Sequence, residues 1–149
     1  MPDRHLWTRH STKTITFAGG TGTGAAGTVA VFTITGRVLV HWTSVFCTTL
    51  LTESGATATI SYGTAGDVDA FIAATDAVTI DADEWWTAAA PAAGSKSPLE
   101  ILTGGLVVSQ GAKLLSESTI FTVATADVTG GVVVVDHFYT PLTDGARLF

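Results

Sequence analysis

Residues 37–51 read RVLVHWTSVFCTTLL, and the spacing of apolar residues in this stretch decides the fold class. Val38, Val40, Trp42, Phe46 and Leu50 fall on even positions, while Arg37, His41, Thr43 and Thr49 fall on odd ones. A repeat of two belongs to a β-strand, whose successive side chains point to opposite faces; a helix would repeat every 3.6 residues. The stretch predicts one long, half-buried strand with its even-numbered residues toward the core. Residues 28–35 (TVAVFTIT) continue the β-branched alternation upstream. Downstream, residues 56–62 (ATATISY) place Ala56, Ala58, Ile60 and Tyr62 on the inner side and Thr57, Thr59 and Ser61 on the outer. Glu53-Ser54-Gly55 between the two runs predicts a hairpin.

The same reading finds further strands at residues 13–17, 68–73, 77–80, 105–109, 118–124 and 131–139, punctuated by turn signals at 63–66, Gly104-Gly105, Gly130-Gly131 and 143–145. Only residues 67–75 (DVDAFIAAT) and 99–102 (LEIL) offer a short helical alternative. Many short strands at regular spacing predict an all-β, single-domain antiparallel β-sandwich, jelly-roll-like or otherwise Greek-key, or a barrel. Residues 1–27 read as an N-terminal arm with a Gly/Thr-rich connector, and residues 28–149 as the sandwich domain. On this division, removing residues 1–20 would leave the domain folded.

Composition narrows the function. The chain has 149 residues, 46% apolar and only 13% charged, with 26 Thr, 16 Gly and no Asn. Mean hydropathy is +0.42 and net charge −6. Basic residues are scattered, so nucleic acid, which is bound by a basic stripe, is not an expected partner. Residues 38–95 hold no Lys or Arg but seven acids: Glu53, Asp67, Asp69, Asp76, Asp81, Asp83 and Glu84. That run predicts a solvated acidic face. Asp3, Arg4, His5, Arg9 and His10 crowd the first ten residues with no apolar run behind them, so no secretory leader is expected. Apolar runs such as 132–135 are far below the ~18 residues that cross a bilayer, so no membrane partner is expected.

The chemical motifs are weak. Residues 22–27 (GTGAAG) match G-x-G-x-x-G, but the β-branched run after them opens no helix, and the position ~20 residues on is Cys47 rather than an acid. Asp67 with Asp69, and Asp81, Asp83 and Glu84, are spaced as oxygen ligands without forming a calcium loop. The four histidines make no zinc pair, and Asp136-His137 point to opposite faces of a strand. Cys47 reads as a small buried hydrophobe. Neither a catalytic residue nor a cofactor is expected, and His41 beside Trp42 predicts a sheet face or subunit seam.

Several segments carry a resemblance: AGTVAVFTITG at 26–36, YGTAG at 62–66, TVATADVTGG at 122–131 and PLTDGA at 141–146. Together with their surroundings they cover about two thirds of the chain, and they resemble small structural proteins of tailed bacteriophages that act as capsid decoration, or cement, proteins. The resemblance implies a homotrimer on the outer capsid surface of the virion, made in the host cytoplasm. Its partners would be the major capsid protein and copies of itself, with no enzymatic activity. Candidate capsid or subunit contacts are Arg4, Trp7, Arg9, Lys13 and Phe17 on the arm, with His41, Trp85 and Trp86. The alternative is a head or tail binding module reading host glycan or protein through loops 62–69 and 83–86.

Overall fold

The computed structural model describes residues 7–87 and 111–149. They form β1 (Arg9–Thr16), β2 (Gly27–Ala30), β3 (Ile34–Thr35), β4 (Val38–Glu53), β5 (Thr59–Thr64), β6 (Ile72–Asp76), β7 (Glu84–Trp85), β8 (Lys113–Leu115), β9 (Thr119–Ala124), β10 (Val128–Pro141) and β11 (Arg147–Leu148). Every pairing is antiparallel, and the pairs nest: β1 with β10, β2 with β9, β4 with β7 and β8, β5 with β6. Such nesting is a long hairpin folded over on itself. The fold-over sets β10 beside β4 and β9 beside β5, giving one sheet ordered β1-β10-β4-β7, with β8 also on β4, and a second ordered β2-β9-β5-β6. This is the jelly-roll order of a two-sheet sandwich.

Bulges in β4 decide which residues enter the core. Phe138 lies opposite Trp42 and Tyr139 opposite Val40, so His41 is an extra residue, and the inward side changes parity there. Val38 and Val40 point inward, as expected. Beyond His41 the odd residues Thr43, Val45 and Cys47 are buried, while Trp42 and Phe46 are only half-buried and Leu50 is exposed. The even-numbered face read from residues 37–51 is therefore two half-faces on opposite sides of the sheet. Thr48 is a second extra residue, and its hydroxyl donates to the Val132 carbonyl at 3.2 Å.

Other expectations are corrected by the pairing. No hairpin joins β4 to β5: they lie in different sheets, and residues 54–58 turn the corner between them, with the Ala58 N–H donating to Glu53 Oε2 at 2.6 Å. Residues 28–35 divide into β2 and β3 rather than one strand, and β3 pairs with β11 to close one end of the sandwich. Residues 77–80 give a short 3₁₀ turn (Ala77–Thr79) capped by Asp76, whose carboxylate accepts from the Val78 N–H. Residues 67–75 are turn and strand, not helix. Gly130-Gly131 is no turn but part of β10, where Gly131 (φ +114) lies against Leu50 and Leu51. The proposed elements at 99–102 and 105–109 lie outside the described residues.

The segment read as an arm belongs to the sandwich over its described length. β1 pairs along eight positions with β10, Ile15 and Phe17 are buried, and Phe17 packs on Phe121 with ring centroids 5.8 Å apart. The Gly/Thr connector is pinned too. Gly19 N–H donates to Val128 O, Val128 N–H to Gly24 O, and Ala26 N–H to the Asp127 carboxylate. Gly24 has φ +132, and a Cβ there would sit 2.1 Å from Val128 O.

Two outcomes follow in urea denaturation. Gly24→Ala should lower stability by about 2 kcal/mol, because both the backbone conformation and the close approach exclude a side chain. Removal of residues 1–20, which takes away β1 and Phe17, should abolish the cooperative transition rather than leave a folded domain.

Candidate functional site

The predicted contact residues do not gather in one place. Trp7 is 73% exposed just before β1, and Arg9 and Lys13 are exposed on β1. His41 occupies the bulge and hydrogen-bonds Thr140 Oγ1 at 2.8 Å. Arg4 lies outside the described residues. Phe17 and Trp86 are corrected: both are buried in this chain's own core and have no surface to offer a partner. Period two explains Trp86. Glu84, Trp85 and Trp86 alternate in, out and in, so Trp85 packs on Phe46 with ring centroids 4.8 Å apart and planes inclined at 56° on the outer face, while the Trp86 indole N–H donates to Thr75 Oγ1 at 3.0 Å inside.

What the register does assemble is an apolar strip across the outer face of the β1-β10-β4-β7 sheet. One row runs His10, Phe138, Trp42; another runs Thr14, Val134, Phe46, Trp85. Between them lie Thr12, Asp136 and Ser44. Phe138 is 39% exposed, and Trp42, Phe46, Trp85, Val132 and Val134 are half-buried. The ionisable side chains in these rows meet each other: His10 Nε2 lies 2.6 Å from Asp136 Oδ1, and the His10 ring stacks on Phe138 at 4.5 Å. Trp42 and Phe46 were missed as surface residues because the bulge at His41, invisible in the alternation, moves them outward, whereas Phe138 faces outward by the plain alternation of β10, between the buried His137 and Tyr139.

The inner side of the same strands carries polar groups of a different kind. His137 receives a hydrogen bond from Thr43 Oγ1 at Nδ1 (2.7 Å) and donates from Nε2 to Tyr62 Oη (2.6 Å); Tyr62 donates in turn to Thr119 Oγ1 (2.9 Å). The phenol has one proton and spends it on Thr119, which assigns the Nε2–H tautomer to His137. Phe32, Phe71 and Tyr62 rings surround the imidazole at 5.1–5.7 Å. Burial pushes the Tyr62 phenol far above its usual range and the His137 imidazole down to about 3. With every member enclosed, these groups have no path to a substrate.

The other candidate chemistry is equally confined. Burial, reinforced by the nearby Glu84 and Asp81 charges, raises the Cys47 thiol to about 11, so it stays protonated and unreactive at neutral pH. The G-x-G-x-x-G stretch forms turns against Val128 and Asp127 and opens no helix. Among the described residues no group of three or more His, Cys, Asp or Glu is placed to hold a metal ion, and no helix is long and apolar enough to cross a membrane.

Tyr62→Phe leaves the His137 Nε2–H facing hydrocarbon, and an unmet buried donor costs about 1–3 kcal/mol. Thermal and urea unfolding should show a loss of that size with the near-UV aromatic spectrum otherwise retained. No family model, no curated protein and no solved structure matches this chain.

Proposed function

We propose that this protein is a structural component of a tailed-phage virion, a decoration protein that binds the outer capsid surface as a homotrimer and stabilises the shell by bridging capsomers. The observation that carries the reading is the outer face of the β1-β10-β4-β7 sheet. A chain of net charge −6 keeps there two apolar rows, Phe138 with Trp42 and Val134 with Phe46 and Trp85, and Val132 beside them, with Asp136, hydrogen-bonded to His10, between the rows. Exposed apolar patches of this kind mark contact with another macromolecule. Burying them removes apolar surface from water at about 25 cal/mol per Å², and a near-neutral face lets acidic copies approach without strong repulsion.

The enclosure of His137, Tyr62 and Cys47 supports a non-enzymatic role, since a nucleophile or base must reach its substrate. The jelly-roll order adds only an analogy, because the fold serves capsid proteins and lectins alike. The flat aromatic strip also suits the alternative, a head or tail module that stacks host sugars on Trp42 and Trp85, so the two readings part on copy number and location. A decoration protein is expected at hundreds of copies over the shell in a reconstructed particle; a few copies confined to the tail would overturn the proposal. Light scattering of the isolated protein at micromolar concentration should give a trimer. The doubly substituted Trp42→Ser/Phe46→Ser protein should keep its β-sheet circular dichroism and shift to monomer, because these side chains serve the outer face and not the core.

A further inference from the structure

The hydrogen-bonded chain through His137 crosses the sandwich from one sheet to the other. Thr43 and His137 belong to β4 and β10; Tyr62 and Thr119 belong to β5 and β9. We propose that this chain is an acid-sensitive latch between the sheets, which holds the sandwich shut while the His137 ring is neutral and releases it when acidification charges that ring. The latch is a property of the fold and is independent of virion assembly.

A neutral imidazole needs one donor and one acceptor, and Thr43 and Tyr62 supply them at 2.7 and 2.6 Å. A charged imidazole needs a counter-charge, and among the described residues none faces it. The groups packed against the ring are Thr43 from β4, Tyr62 from β5, and Phe32 and Phe71 from the connecting segments. From β1, Ser11 lies opposite in register, its hydroxyl donating to Leu148 O. The adjacent carboxylate, Asp136, points to the other face and is held by His10. Tyr62 is the one titratable side chain among these contacts, and burial keeps its phenol protonated. Charging His137 in place thus means burying an unbalanced cation at the centre of the sandwich, whereas separating the sheets lets water solvate it.

The direction of the effect follows from linkage. The unfolded chain binds a proton at a histidine near pH 6.5, while burial delays the same event in the native protein to about 3. Between those values the unfolded state holds more protons, so the stability secured by neutral His137 is complete above pH 6.5 and declines as pH falls toward 3. The window from 6.5 to 5 lies above the ordinary carboxylate range, which gives the latch a pH interval in which acids are still ionised.

Urea denaturation of the full chain between pH 7.5 and pH 5 tests the proposal. The unfolding constant of the native sequence should rise roughly 30-fold over this interval, the increase expected from one histidine with those two values. The same interval in His137→Gln should bring less than a threefold change, with His10 and His41 still present in both proteins. Imidazole ¹⁵N NMR of the native protein keeps the test decisive even if the variant does not fold: His137 should retain the neutral Nε2–H pattern at pH 5. An ordinary titration of His137 near pH 6.5 in the folded state, or an undiminished 30-fold rise in His137→Gln, overturns the latch.

Discussion

The antiparallel pairing of β4 with β10 is the constraint on which the rest of the molecule depends. It joins the sixteen-residue strand to the fourteen-residue one. Everything else attaches to this ribbon: β1 on the free side of β10, β7 and β8 on the free side of β4, and the second sheet across the inner face. The bulge at His41 is the decisive detail within it. By moving the inward parity from even to odd residues, it delivers Thr43, Val45 and Cys47 to the core and sends Trp42 and Phe46 to the outer surface. One extra residue thus brings Thr43 into the buried polar chain and Trp42 and Phe46 into the apolar strip.

The two faces of the β4–β10 ribbon consequently do different work. The inner face binds the second sheet by ordinary apolar packing, with Val45, Val133, Val135 and Cys47 fully buried, and by the hydrogen bonds of Thr43 and His137. Those hydrogen bonds have directional requirements that hydrocarbon contacts lack, so they select one register between the sheets. Among the described residues the outer face has no such closure. Its aromatic rows are continuous from His10 to Trp42 and from Val134 to Trp85.

The edge of the first sheet is managed differently. β1 has one strand partner among the described residues and so presents an open edge. Lys13 lies on the same side of that strand as the buried Ile15, yet is itself exposed. A charge pointing inward on an edge strand discourages further strand pairing, because an added neighbour would have to bury it. Arg9, on the same side at the start of the strand, acts in the same sense. The edge is thus protected by charge, while the apolar rows lie on the outer face.

Much of this was legible in the residues themselves. Period-two alternation in 37–51, 56–62, 118–124 and 131–139 located β4, β5, β9 and β10, because a strand's side-chain period is a local property of the backbone. The opposite orientation of Asp136 and His137 followed from the same rule. Three things required the tertiary structure. The hairpin expected at Glu53-Ser54-Gly55 became a corner between sheets, since the local turn signal does not say which distant strand pairs with β5. Phe17 and Trp86 proved to be core residues, because burial depends on what the opposite sheet places over them. The outward position of Trp42 and Phe46 depended on the bulge at His41, which exists only as a mismatch in count between two strands nearly a hundred residues apart in sequence: each strand alone has a period, but only the pair has a register.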